Sequence, residues 1–265
     1  MTTALNKWQQ DPQASARIAL ACLDLTSLND ADTETDIAKL CARAQGSFGP
    51  VAAVCVWPRL ATFARQNLPS NIAVAAVANF PDGSADVERA VRDTATIVQS
   101  GAQEVDVVLP YQHLLAGDEQ TVVRLLGAVR KAAEGLRMKV ILETGMLQDE
   151  RVIERACRLS LDAGADFLKT STGKTPISAT PQAARTLLAA IANDPLRASK
   201  VGFKPSGGIR TVADAAVYIA LCEDYLGPSA LTAQRFRIGA SSVLNDIEAV
   251  LGNTAAPAPA GAGTY

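Results

Sequence analysis

Eight apolar runs of strand length, separated by polar or amphipathic stretches, constrain this chain more than any other feature of its 265 residues. The runs cover 19–25, 51–57, 72–80, 103–109, 138–143, 166–170, 201–204 and 236–239. Between them, apolar positions recur at helical spacing over 35–45, 85–99, 119–133, 150–161, 181–192 and 213–221. In 85–99, for example, Val87, Ala90, Val91, Thr94, Ala95 and Val98 line one face. Strands that are apolar throughout belong to a parallel sheet covered on both sides. Eight of them in one chain of about 250 ordered residues predict an α/β fold, a single-domain (β/α)8 TIM barrel over residues 1–251. The alternative, an open doubly wound sheet, calls for a glycine-rich turn after the first strand, where this chain has Leu25-Thr26-Ser27-Leu28. The stretch 252–265, GNTAAPAPAGAGTY, has no periodic apolar face and reads as a flexible tail whose one large side chain is Tyr265.

A weak internal echo gives the barrel an orientation. Gly101-Ala102 and Gly164-Ala165 each lead into a strand, each glycine ending the preceding helix in the left-handed conformation. Five residues beyond each glycine stands a charge in an apolar strand, Asp106 in one case and Lys169 in the other. Equal offsets on the fourth and sixth strands, which share parity in a layered interior, predict that Asp106 and Lys169 face each other near the C-terminal mouth.

Composition removes several functions. A formal net charge of −2 without basic blocks argues against nucleic acid, which is bound mainly by neutralising phosphates. No apolar run is long enough to span a bilayer, and the N-terminus lacks the basic-then-apolar order of a signal peptide, so a cytoplasmic protein with no membrane partner is expected. The single histidine, His113, excludes multi-histidine metal sites, and no metal or other cofactor is expected. Five scattered cysteines without a C-x-x-C pair read as reduced, packed thiols.

The lysines carry the chemistry. Lys139, Lys169 and Lys204 lie within or at the ends of apolar strands. Burial or a neighbouring cation lowers a lysine pKa and yields the free amine that attacks a carbonyl. The plainer reading of each is a salt bridge at a strand end. Asp106 and Asp24 are carboxylates in apolar strands, either proton-transfer groups beside the lysines or their structural partners, and Glu143 shares that ambiguity. Cys55 points toward the mouth by strand alternation but has no base spaced with it, so Asp24, Lys139 and Cys55 rank as supporting positions. Trp57, His113 and the other cysteines read as packing or surface, and Thr211 with Asp214 as a capping box. Small and hydroxylated residues follow the last three strands: Thr170-Ser171-Thr172-Gly173-Lys174, Ser206-Gly207-Gly208 and Gly239-Ala240-Ser241-Ser242. Barrels commonly bind phosphate with the loops at this end, so Gly173, Lys174, Gly207, Gly208, Ser241 and Ser242 are candidate phosphate contacts.

With these residues in place, the chain resembles the deoxyribose-phosphate aldolase family. The matching segments are LDLTSLN (23–29), AAVCVWPRL (52–60), ANFPDG (78–83), GAQEVDVVLPY (101–111), KVILETG (139–145), GADFLKTSTGK (164–174), VGFKPSGGIRT (201–211) and FRIGASS (236–242). The resemblance implies a metal-independent class I aldolase that reversibly cleaves 2-deoxyribose 5-phosphate to acetaldehyde and glyceraldehyde 3-phosphate, a step of deoxyribose-phosphate catabolism. It implies that Lys169 forms the Schiff base, that Lys204 lowers the pKa of Lys169, that Asp106 moves protons, and that Lys174 with the glycines and serines above holds phosphate. It also implies that the terminal Tyr265 exchanges protons at the enamine carbon. Two departures are mild: Leu109 precedes the proline-tyrosine pair, and Pro176 follows TSTGK closely. The expected partners are phosphosugar and aldehyde substrates, with a homodimer left open. The competing readings are an aldolase for another phosphosugar, a phosphosugar isomerase and a catalytically silent phosphosugar-binding protein.

Overall fold

The computed structural model describes residues 3–254. Its eight strands are β1 (Leu23–Thr26), β2 (Ala53–Val56), β3 (Ala73–Ala78), β4 (Glu104–Val108), β5 (Arg137–Ile141), β6 (Phe167–Lys169), β7 (Gly202–Lys204) and β8 (Ile238–Ala240). All neighbours pair in parallel, and bridges from Phe203 to Phe236 and from Ser206 to Gly239 close the circle between β7 and β8. The helices before β5 are α1 (Thr3–Gln10), α2 (Pro12–Ala21), α3 (Glu34–Arg43), α4 (Pro58–Gln66), α5 (Val87–Gln99), α6 (Tyr111–Leu115) and α7 (Glu119–Ala132). After β5 come α8 (Thr144–Leu147), α9 (Glu150–Asp162), α10 (Pro181–Ala192), α11 (Val212–Leu226) and α12 (Val243–Gly252). The predicted (β/α)8 barrel is the architecture found. Residues 255–265, Tyr265 among them, lie outside the described residues.

Each predicted run overlaps a strand, but the first is divided. Residues 19–21 finish α2, which Asp11 caps by accepting a hydrogen bond from the Ala14 amide at 2.9 Å, with Pro12 in the first turn. Ser15, Ala16, Ala19 and Leu20 form the buried face of this helix, so its apolar end runs without a break into β1. The fifth run also ends early. β5 stops at Ile141, and Glu143 adopts a left-handed conformation with φ 54°. Gly101 and Gly164 do take positive φ just past α5 and α9, and Thr211 with Asp214 does form a capping box on α11.

Following the paired residues once around the barrel returns the chain eight residues below its start. This is the shear of a (β/α)8 barrel, a stagger of one residue per strand. Two strands and two residues therefore separate positions at the same height, which is the relation of Asp106 on β4 to Lys169 on β6. The floor of the interior is Phe167, whose register partner is Gly202. A Cβ at 202 would lie 2.4 Å from the Phe167 ring, so only glycine leaves room for that side chain.

Candidate functional site

Three carboxylates and four cations meet inside the barrel. Period-2 alternation turns Glu104 and Asp106 of β4 to the same side, and the register of Asp106 with Lys139 and of Lys169 with Lys204 goes with all three lysines turning inward beside them. Asp24 of β1 and Arg237, just before β8, complete the set, and every one of these side chains is buried. Asp106 is the hub. Its Oδ1 accepts from Lys139 Nζ at 2.7 Å, and its Oδ2 accepts from Lys204 Nζ at 2.7 Å and Lys169 Nζ at 2.9 Å. Lys204 also donates to Asp24. Lys139 approaches Glu104 Oε2 at 2.5 Å and Asp24 Oδ2 at 3.4 Å. Arg237 donates to Asp24 at 2.5 Å and to both oxygens of Glu104, at 2.7 and 3.1 Å.

The lysines are thus unequally held. Among the described residues, Lys139 has three carboxylate neighbours, Lys204 has two and Lys169 has one. Buried charge is tolerated only when it is paired, and four buried cations face three anions here, while Arg137, which reaches Glu104 at 2.7 Å, has a side chain one-third exposed and is compensated by solvent. The set is balanced when one lysine is an amine, and Lys169 is the least compensated. Burial lowers its pKa and the Lys204 ammonium lowers it further, against the opposing pull of Asp106. For Lys204, burial also works against the charge, but Asp106 and Asp24 outweigh it and the pKa rises. Burial opposes ionisation of Asp106 as well, yet Lys139, Lys169 and Lys204 together hold its carboxyl well below the usual range.

Above this layer, the loop after β6 is tied down from two sides. Glu143 is buried and accepts from the Thr172 hydroxyl, the Thr172 amide at 3.3 Å and the Thr175 hydroxyl at 3.2 Å; burial raises its pKa. Thr170 Oγ1 accepts from the Ser206 amide at 3.0 Å, which joins the loops after β6 and β7. Cys55 lies on β2 in register with Thr26 and Ala75, and burial with the nearby Asp106 charge pushes its thiol up, away from the reactive thiolate.

Beside the mouth, Gly173, Gly207, Gly208, Ser241 and Ser242 line one cleft of about 280 Å³ at the start of α12. Gly207 has φ +80°, and a Cβ there would lie 2.6 Å from Ser178 Oγ, so backbone rather than side chain faces the space. Pro176 and Arg210 also line it; Arg210 is a cation that the sequence reading passed over. Lys174 is placed differently from the other phosphate candidates. Its ammonium donates to the Leu28 carbonyl at 2.8 Å, tying the loop after β6 to the one after β1. His113 pairs with Asp118 at 3.1 Å on the surface, and Trp57 donates to the Asn29 carbonyl.

Glu104 and Arg237 were missing from the candidates read in sequence. Glu104 stands two residues before Asp106 and so shares its face, which was the available signal. Among the described residues, no group of three or more His, Cys, Asp or Glu side chains is arranged to hold a metal ion. No helix among them is long and apolar enough to cross a membrane.

Comparison with known proteins places this geometry among relatives. A family model described as DeoC/LacD family aldolase matches residues 18–247. A deoxyribose-phosphate aldolase from Agrobacterium fabrum is 45% identical over 245 residues, covering 91% of this chain and 93% of that one. The tetrameric deoxyribose phosphate aldolase structure from Aeropyrum pernix is 27% identical, covers 94% of this chain and 97% of its own, and superposes with a TM-score of 0.74. A Toxoplasma gondii structure, 24% identical and covering 96% of this chain and 98% of its own, superposes at 0.84, a likeness of fold.

Proposed function

This chain belongs to the DeoC/LacD aldolase family, and from that premise we propose that it is a deoxyribose-phosphate aldolase working through a Schiff base on Lys169. The observation that carries the reading is the unequal pairing of the three barrel lysines, which leaves Lys169 as the amine. The Lys169 amine adds to the C1 aldehyde of open-chain 2-deoxyribose 5-phosphate, and loss of water gives an iminium. As a base takes the C3 hydroxyl proton, the C2–C3 bond breaks and its electron pair moves into the iminium, forming an enamine. Glyceraldehyde 3-phosphate leaves. Protonation of the enamine carbon and hydrolysis then release acetaldehyde and restore the amine.

Asp106 and Lys204 are the proton-transfer pair in this scheme. Asp106 is bonded to both lysines, so a proton passing between substrate and protein stays within one connected set. Asp24 and Lys139 support it from below. Tyr265 is proposed, on the resemblance alone, to exchange the proton at the enamine carbon. The reaction is placed in the cytoplasm, and a homodimer is the proposed assembly. Incubation with 2-deoxyribose 5-phosphate should release acetaldehyde, read by coupling to a nicotinamide-linked alcohol dehydrogenase. Release of no aldehyde, or isomerisation without cleavage, would exclude the reading.

The cleft of Gly173, Gly207, Gly208, Ser241 and Ser242 is assigned to the substrate phosphate, with Arg210 as an added cation. Backbone amides and the N-terminus of α12 suit an anion, and binding energy gathered there positions the distant C2–C3 bond. Lys174 acts in this scheme by bracing the loop. Ser241→Asp would set a carboxylate against the phosphate. Its KM for 2-deoxyribose 5-phosphate is expected to rise about ten-fold or more, since like charges in contact cost several kcal/mol, while unphosphorylated 2-deoxyribose is turned over as before. Steady-state kinetics on the two sugars checks this.

A further inference from the structure

The scheme above uses the upper part of the ion cluster and leaves its lower part unexplained. Glu104 sits one pleat below Asp106 and is the anchor of that lower part. It accepts from Arg237 at 2.7 and 3.1 Å and from Arg137 at 2.7 Å, and it contacts Lys139 at 2.5 Å. Both guanidinium groups also lie over the Phe167 ring, 5.7 and 5.8 Å from its centroid. Arginine does not deprotonate in proteins, so two arginines fix Glu104 as an anion over the whole working pH range. A fixed buried anion favours a fixed cation beside it, and Lys139 is that cation.

Lys139 is as deeply buried as Lys204 and more so than Lys169, and by burial alone it would be the better candidate for an amine. The charged groups facing it are Glu104 and Asp106 from β4, Asp24 from β1 and Lys204 from β7. Asp106 and Asp24 are shared with other cations, Asp106 with Lys169 and Lys204, and Asp24 with Lys204 and Arg237. Glu104 is the one carboxylate near Lys139 that touches no other lysine among the described residues. We infer that Glu104 is a positioning residue for the lyase reaction: it holds Lys139 as an ammonium ion, and thereby leaves Lys169 as the single amine in the barrel. This rests on the Schiff-base reading of Lys169 and answers a question that reading leaves open, namely why one of three buried lysines reacts.

The test is a side-chain titration without substrate. The chain has eight lysines, so protein carrying ¹³C at lysine Cε gives few resonances, and Lys139→Arg identifies the one required. In the unaltered protein the Lys139 signal should stay at its charged position to about pH 10. In Glu104→Gln its midpoint should fall by about one unit or more, because burial then meets less compensation, and Glu104→Asp, which keeps the charge, should restore the high midpoint. A Lys139 titration that is the same in Glu104→Gln as in the unaltered protein would overturn the proposal. If Glu104→Gln does not fold, the double variant Glu104→Gln/Lys139→Met removes one charge of each sign and keeps the cluster neutral. It should fold and still be trapped by borohydride and acetaldehyde at Lys169, with the pH midpoint of trapping within about one unit of the original. A larger displacement, or loss of trapping, would show that Glu104 acts on Lys169 by some route other than Lys139. Failure to trap Lys169 in the unaltered protein would instead count against the Schiff-base reading and leave the Lys139 titration standing as its own result.

Discussion

Lys169→Ala is expected to lower turnover of 2-deoxyribose 5-phosphate by about 10⁴-fold or more, the scale on which removal of a covalent nucleophile is felt, while the protein remains folded. The two halves of that expectation come from the same geometry. Without the amine there is no iminium to accept the electron pair of the C2–C3 bond, and neither Lys204 nor Lys139 replaces it, because each is held as an ammonium by two or more carboxylates. The fold survives because the variant leaves Lys139, Lys204 and Arg237 against Asp24, Glu104 and Asp106, three charges of each sign. Removing a neutral amine from a balanced cluster does not strand a buried charge, whereas removing a paired ion does. In the unaltered protein, borohydride in the presence of acetaldehyde should fix one ethyl group, and peptide mapping should place it on Lys169. In the alanine variant no ethyl group should be fixed within the barrel, and the melting temperature should stay within a few degrees of the original. An ethyl group found on another lysine of the unaltered protein, or a variant with full activity, would falsify the assignment.

The barrel was legible because its strands are buried on both faces and therefore read as unbroken apolar runs, and because the helices between them carry an apolar stripe at a different period. The same rule explains the misplaced start of β1. Residues 19–21 close an apolar helical face, and an apolar run alone does not say which period it serves. The upper half of the candidate site was legible for a physical reason as well: a lysine or aspartate in an apolar strand is costly unless it has a task or a partner. Asp106 and Lys169 could even be set at one height from their offsets to Gly101 and Gly164. Asp24 and Lys139 of the lower half were candidates, but their pairing was not legible, since partners such as Asp24 and Arg237 stand 213 positions apart and meet only when the barrel closes. Glu104 was passed over because charges in strands were weighed one at a time, and its worth lies in touching two arginines and a lysine at once. Lys174 shows a further limit. Adjacency to Gly173 placed it on the right loop, but side-chain direction sends its ammonium to the Leu28 carbonyl.

Lys204→Leu tests whether charge balance, beyond burial, sets the reactivity of Lys169. In the unaltered cluster at rest, Lys204 is a cation next to the amine, sharing Asp106 Oδ2 with it. Replacing it with leucine changes two things, and both act in one direction. A positive charge that disfavours a second ammonium is gone, and Asp106 Oδ2 is left to Lys169 alone. The variant is balanced only if Lys169 is protonated, since Lys139, Lys169 and Arg237 then match Asp24, Glu104 and Asp106. The folded-state pKa of Lys169, lowered in the unaltered protein, should therefore rise. Amine is present only above that pKa, so the ascending limb of kcat/KM against pH, and of borohydride trapping against pH, should move to higher pH by about one to three units. Activity at neutral pH should fall by about 10²-fold or more, combining the smaller amine fraction with the loss of a proton-transfer partner. Raising the pH should recover the first part and not the second, so the variant should regain trapping more fully than it regains turnover. An ascending limb that stays in place while activity falls at every pH would mean that burial alone tunes Lys169, and that Lys204 serves only in moving the proton.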